Sequence, residues 1–259
     1  MISVIICSID PAKFAAVTES YARAFGSEAY EIVDIHDARS LCEGYNRGLR
    51  LAKGDFCVFS HDDIDILATD LGGRLRRHLA NYDVVGAAGT TRLVGMGWAN
   101  SGIRHARGMV THVIGGDYVT RLFGAREPVA DSIVALDGVF FAARRDVASA
   151  VGFDEHTFDG WHGYDTDFTF RCHLAGYRIA VALDLQLVHF SNANVDRAWL
   201  EFEARFAAKH AGQLEQGQGK WLEITRRSRT REGVIAACAD VDVLHELTEE
   251  AIRRIGTET

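Results

Sequence analysis

The chain has only two prolines in 259 residues, too few for a Pro-rich disordered segment. It has no run of about 18 apolar residues, so no membrane-spanning helix is expected. The opening "MISVIICSID" is apolar but short and lacks a basic start, which argues against a secretory leader. Five cysteines (Cys7, Cys42, Cys57, Cys172 and Cys238) are scattered, odd in number and without a CxxC pair. That spacing argues against a disulfide framework and fits small buried hydrophobes in a reducing compartment. Positive charge is scarce as well. A formal net charge of -8 speaks against a nucleic-acid partner, because a phosphate-backbone binder needs a clustered basic face. The expectation is a cytoplasmic protein, with a peripheral contact at the membrane left open.

What is present is the composition of a globular protein. At 47% hydrophobic and 25% charged residues, the chain can bury a sizeable core. The run "ISVIICS" is compact and β-branched, as a strand buried on both faces would be. Asp10 and Pro11 then supply an N-cap and a first helical residue. Phe14, Val17, Tyr21 and Phe25 follow at helical spacing, and Gly26 ends the helix. "YEIVDI" reads as a second strand. Ser40 and Glu43 form a capping box for the next helix, whose inner face is Leu41, Tyr45, Leu49 and Ala52. "DFCVFS" is a third strand, 69–80 a helix, and "DVVGAAG" a further strand. The glycine-rich stretch 91–134 predicts loops and hairpins. "IVALDGVFFAARRD" returns to strand, and "YRIAVALDLQLVHF" reads as two short strands or one bent one. A helix over 197–211 turns Trp199, Phe202 and Phe206 inward. "GQLEQGQGK" reads as a linker, "RRSRTRE" as a solvated basic run, and the last 25 or so residues as an accessory helix.

Strand and helix alternate, which predicts an α/β fold with a mostly parallel, doubly wound sheet. Such sheets bind ligands beyond the carboxyl ends of their strands. Ser8, Asp10, Asp34 and the acids after Ser60 all fall on that edge. In "HDDID", clustered carboxylates resist desolvation unless a cation compensates them. Oxygen-rich clusters suit Mg²⁺ or Mn²⁺; the alternative is a polar loop capping the next helix. His189 closes the apolar "LVHF" and is either a structural histidine or an imidazole ligand. In "GWHGYDTDF", Asp165 and Asp167 are two apart, so on a helix they face different ways. One can face a cleft while the other caps the helix or meets a basic side chain. A general base must be ionised and within reach of the proton it takes. Trp161, on a glycine-flanked turn, offers a flat face to a sugar ring.

The succession "YNRGLRLAKGDFCVFSHDDID", "DGVFFAARRDV", "GWHGYDTDFTFRCHLAGY" and "LVHF" resembles family 2-like, GT-A-fold glycosyltransferases. The resemblance spans residues 2–190. "GWHGYDTDF" is similar to the Gly-Trp-Gly-Gly-Glu-Asp-Asp-Asp motif of β-1,4-galactosyltransferases. The resemblance implies a GT-A (Rossmann-like) domain over 1–195 and a helical C-terminal extension over 196–259. It implies Asp165 as catalytic base, with Trp161, His162 and Tyr164 on the acceptor side. It implies Asp63 and His189 as metal ligands. It places Asp10 and Asp34 at the nucleotide base and ribose, with Ser8, Asn46, His61, Asp62 and Gly138 also on the donor side. Two positions depart from the family pattern. His61 stands where the first acid of Asp-x-Asp is expected, so the metal register is either His61-x-Asp63 or Asp63-x-Asp65. Tyr164 stands where a Glu is expected.

The implied activity is transfer of a sugar, with inversion, from a nucleoside-diphosphate sugar such as a UDP-sugar to an acceptor hydroxyl. A divalent cation, Mn²⁺ or Mg²⁺, is the implied cofactor. The implied acceptor is a glycan, a lipid-linked molecule or a protein. Two other readings compete: a non-catalytic nucleotide-sugar-binding module, and a metal-dependent phosphoester hydrolase or nucleotidyltransferase. A loop closing over the site is expected from 91–116 or from the linker after 211.

Overall fold

The computed structural model describes residues 1–191 and 196–256. The first half alternates as expected: β1 (Ile2–Cys7), α1 (Pro11–Phe25), β2 (Tyr30–Ile35), α2 (Leu41–Leu51), β3 (Phe56–Ser60), β4 (Ile64–Ile66) and α3 (Leu71–Leu79). The caps do what their chemistry dictates. The Asp10 carboxylate accepts from the amides of Ala12 and Lys13, and Gly26 closes α1 at φ 60°. Ser40 accepts from the Glu43 amide at 3.1 Å. Glu43 reaches back to the amide of Arg39 instead of to that of Ser40, so the box closes one residue further out. Val17, Tyr21 and Phe25 of α1, Tyr45 and Leu49 of α2, and Ala52 at its C-cap are buried in the core.

From residue 84 the chain weaves between two sheets. Next come β5 (Val84–Gly86), β6 (Ala88–Thr90), β7 (Ala106–Ile114), β8 (Asp117–Gly124), β9 (Val129–Ala130), β10 (Ala135–Leu136), β11 (Phe140–Arg144), α4 (Arg145–Val151), α5 (Tyr164–Leu174), β12 (Ile179–Ala182) and β13 (Leu187–His189). The first sheet runs β2-β1-β3-β11-β5-β12-β9; the second runs β10-β6-β7-β13-β4 and extends through β8 to β14 (Ile224–Ser228). Five strands of the first sheet run the same way, as the mostly parallel expectation has it, and β11 and β9 run against them. β1 pairs parallel with β2 and β3. β11 runs antiparallel between β3 and β5. The reason is connectivity: the chain enters β11 from the second sheet, at the edge where β3 ends, with Phe140 opposite Ser60.

That crossover matters for function. Two apolar runs that read as single strands are each divided between the sheets, β5/β6 and β10/β11, and a third, β12/β13, is divided as the first of its two expected forms has it. The breaks fall at Ala87, at Asp137–Val139 and at 183–186. The second places Asp137 and Gly138 beside the end of β3, where the His61 amide donates to the Val139 carbonyl at 3.2 Å.

The segment from 196 onward is not purely helical. It contains α6 (Arg197–Lys209), β14, α7 (Arg231–Ala237) and α8 (Val241–Ile255). Phe206 of α6 is sealed into the main core. Val234 and Leu244 join a second core with Met109, Leu122 and Val188. The start of the basic run, 226–228, lies in β14, which pairs antiparallel with β8, while Arg227 and Arg229 stay exposed to solvent as expected. The boundary at 195 lies outside the described residues. The two stretches expected to close over the site are tied to each other: Arg92 pairs with Glu215 at 2.8 Å, and the Gly219 amide donates to the Asn100 carbonyl at 2.9 Å. Among the described residues no helix is long and apolar enough to cross a membrane.

Candidate active site

β1, β2 and β3 are parallel, so their carboxyl ends share one edge, and β11 and α5 begin there. Ser8 leaves β1, His61, Asp62 and Asp63 leave β3, and Tyr164 opens α5. A cavity of about 350 Å³ opens at this edge. Its apolar wall is Cys7, Ile35, Ala38 and Leu41; Ser8, His61, Asp62 and Asp63 form its polar end, and Trp161 its rim. Ser8 donates to Asp62 at 2.7 Å, which holds that carboxylate against the cavity floor. Trp161 is 52% exposed, so its flat face is open to a ligand. A larger cavity of about 730 Å³, among Arg77, Tyr82, His173 and Arg178, contains none of these residues.

His61, Asp63 and His189 converge although 128 residues separate the two histidines. The His189 Nε2 lies 3.2 Å from Asp63 Oδ1, 3.2 Å from His61 Nδ1 and 3.0 Å from Ser191 Oγ. The His61 Nδ1 is 3.8 Å from the same Asp63 oxygen. A single proton on His189 Nε2 cannot serve both a carboxylate and an imidazole. A divalent cation can. Ligands about 2.1 Å from an octahedral ion and at right angles to each other sit about 3 Å apart, close to this spacing. The residues therefore fit a metal on one face and leave the opposite face for other ligands. Burial pushes the Asp63 carboxyl up, but His189 and His61 outweigh burial and hold it below the usual range. Burial, then His189, lowers the His61 imidazole, so it stays neutral as a ligand must.

The group that could hold a metal has the spacing His61-x-Asp63. Asp65 is not in the cluster, which corrects its place in the expected ligand set. Its carboxylate is taken by Arg23 at 2.8 Å, by Arg231 at 3.1 Å and by the Ser20 hydroxyl. A carboxylate already neutralised by two guanidinium groups has little to offer a cation.

Asp165 and Tyr164 both lie against Gly138. A Cβ on Gly138 would collide with the Tyr164 hydroxyl and come within 2.7 Å of the Asp165 carboxylate. Burial, then Asp137, raises the Asp165 pKa to about 7. Asp165 as a whole residue is half-buried. Asp167 goes the other way, as its offset of two predicts: it is buried against Arg171, Lys209 and His210.

Several expected contacts are placed elsewhere. Tyr164 is buried under the site instead of facing an acceptor, its hydroxyl bonded to His61 and Gly138. Asn46 clamps the backbone of Phe153 through both ends of its amide and does not line the cavity, because its donors and acceptor are already used. Asp10 caps α1, and Asp34 pairs with His36 at 2.7 Å on the exposed side of the edge strand; neither lines the cavity. His162 faces Asp196 at 3.8 Å. One residue was missed. Asp137 accepts from Trp98 Nε1 at 2.9 Å and from the Val139 amide at 2.8 Å. The Asp-Gly pair that breaks an apolar run was the available signal.

No curated protein matches the chain in sequence. The fold is similar to the solved structure of the mannosyltransferase PcManGT from Pyrobaculum calidifontis in complex with GDP-Man and Mn²⁺, at 13% identity and a TM-score of 0.52, over 100% of this chain and 76% of that one. A looser likeness is to S. aureus TarS 1-349 in complex with UDP, at 14% identity and a TM-score of 0.45, over 81% and 71% of the two chains. The Glycosyltransferase like family profile matches residues 3–216; with that span, which holds the whole cleft, the chain belongs to the glycosyltransferase-like family and has its GT-A fold.

Proposed function

We propose that the protein is a metal-dependent, inverting glycosyltransferase using a nucleoside-diphosphate sugar. The observation that carries this reading is the convergence of His61, Asp63 and His189 beside a cavity with one apolar and one polar end, with Asp165 connected to them through Gly138 and Tyr164. The apolar wall of Cys7, Ile35, Ala38 and Leu41 suits a nucleobase. Ser8 and Asp62 lie toward the sugar diphosphate. A bound divalent ion would neutralise the diphosphate and the charge that grows on it as it leaves. Two imidazoles and one carboxylate suit Mn²⁺ better than Mg²⁺, and the similar mannosyltransferase is described with Mn²⁺.

The chain's own residues then do the rest. Asp165 takes the proton from an acceptor hydroxyl, and that oxygen attacks the anomeric carbon as the bond to the phosphate breaks. Attack opposite the leaving group inverts the anomeric configuration. Gly138 keeps the Asp165 carboxylate accessible by contributing no side chain. Trp161 packs on the sugar or acceptor ring, with His162 beside it. The acceptor is a glycan, lipid-linked or protein hydroxyl. UDP is the first nucleotide to test; GDP is the second, given that neighbour's ligand.

The test is nucleotide release from a panel of nucleotide sugars with and without Mn²⁺. Release that needs the metal and disappears in Asp165→Asn supports the proposal. Binding without release would favour a non-catalytic module, and release of inorganic phosphate would favour a hydrolase.

A further inference from the structure

The two departures from the family motif touch one another. His61 and Tyr164 are 103 residues apart, yet His61 Nε2 lies 2.8 Å from the Tyr164 hydroxyl. That hydroxyl also lies 3.1 Å from the Gly138 carbonyl, to which it donates. A phenol has one proton, and a carbonyl oxygen can only accept. With its proton directed at Gly138, the Tyr164 oxygen is left to accept from His61. The imidazole must then carry its hydrogen on Nε2, which leaves the lone pair on Nδ1. Nδ1 is the atom that faces Asp63 and His189.

We propose that Tyr164 is a positioning residue for the metal centre: its hydroxyl fixes the tautomer and ring orientation of His61, making Nδ1 a ligand. This rests on the metal-dependent reading above. It also gives the two substitutions one cause. An Asp at position 61 would need no tautomer to be chosen. A His does, and the tyrosine supplies the acceptor that chooses it. The surroundings keep that acceptor in place: the Tyr164 ring is buried and packs edge-on against Tyr45 at 5.6 Å between centroids, and Gly138 has no side chain to displace the hydroxyl. Partners of this kind around metal-bound histidines typically carry about 10–100-fold in metal affinity.

The experiment is a direct Mn²⁺ titration of the full chain, read by the electron paramagnetic resonance signal of free Mn²⁺, with no substrate present. Tyr164→Phe is expected to weaken binding by about 10–100-fold. In a His61→Asp background the same change is expected to have little effect, because no imidazole remains to be oriented. Wild-type affinity in Tyr164→Phe overturns the role of the hydroxyl while leaving the metal centre intact. An equal loss in both backgrounds also overturns it, since the hydroxyl would then act through the fold alone. Failure of the unaltered protein to bind Mn²⁺ overturns the metal centre itself. If Tyr164→Phe does not fold, the nitrogen chemical shifts of the ¹⁵N-labelled imidazole in the metal-free, unaltered protein answer the same question. An Nε2–H tautomer at His61 is expected, and an Nδ1–H tautomer overturns the proposal.

Discussion

At Asp165 the crowding that suits a base works against the fold. Burial, then Asp137, raises its pKa to about 7, above the ordinary value of about 3.9. Between those two values the folded state holds more protons than the unfolded one, so its stability falls as pH rises. Asp165→Asn should therefore abolish transfer and raise the Tm at pH 8, with the gain shrinking toward pH 5. Thermal unfolding at the two pH values checks this; an unchanged Tm at both would show that the carboxylate is not crowded. In the unaltered enzyme, kcat/KM should drop on the acid side, at or below about 7, since a nearby cation favours the ionised carboxylate. Gly138 is the other sensitive position. Gly138→Ala should weaken Mn²⁺ binding and turnover together, because the new Cβ meets both Tyr164 and Asp165. The stability cost of such overpacking is about 1–3 kcal/mol, measurable by urea unfolding.

At the scale of elements, α5 is held by α6 through one buried carboxylate. Asp167 meets Arg171 at 2.8 Å, Lys209 at 2.6 Å and His210 at 2.8 Å. Burial alone would raise its pKa, but the hydrogen bond from His210 and the charges of Arg171 and Lys209 hold it below the usual range. A depressed carboxyl stabilises the fold above its unfolded pKa and loses that contribution as pH falls through its folded value. Asp167→Ala should cost about 1–3 kcal/mol, because it leaves the buried His210 without its carboxylate while Arg171 keeps the Val151 and Gly152 carbonyls and Lys209 keeps Asp154, and chemical denaturation at neutral pH will show it. Elements were also where the sequence was most legible and most misleading. The caps at Asp10 and Ser40 and the apolar faces of α1 and α2 are local chemistry, and they are found where periodicity places them. The runs around 84–90 and 135–144 are each divided between two sheets. An apolar strand residue looks the same in either sheet, so periodicity cannot show the transfer. Asp137 was missed for that reason: it lies at such a break.

For the whole molecule, the segment after 195 belongs to the fold. Phe206 and Phe202 fill the main core, Val234 and Leu244 the second, and β14 completes a sheet. A chain ending at residue 195 should therefore fail to fold cooperatively. A sharp thermal transition from that shortened chain would show that 1–195 stands alone. Arg231 adds a second tie, reaching from α7 to Asp65 and to the Ile66 carbonyl at 2.7 Å.

The sequence by itself determined the α/β alternation, the helix ends and the order of the motif residues, because each depends on neighbours a few positions away. It placed Asp63, Asp165 and His189 among the site residues, and left open which side chain would join Asp63 as a ligand. Only the tertiary structure decided that His61 faces His189 while Asp65 is neutralised by Arg23 and Arg231. The choice between a cation and a guanidinium at each carboxylate depends on groups more than 40 residues away. Their distances are set by sheet register and crossover, and spacing along the chain does not encode them.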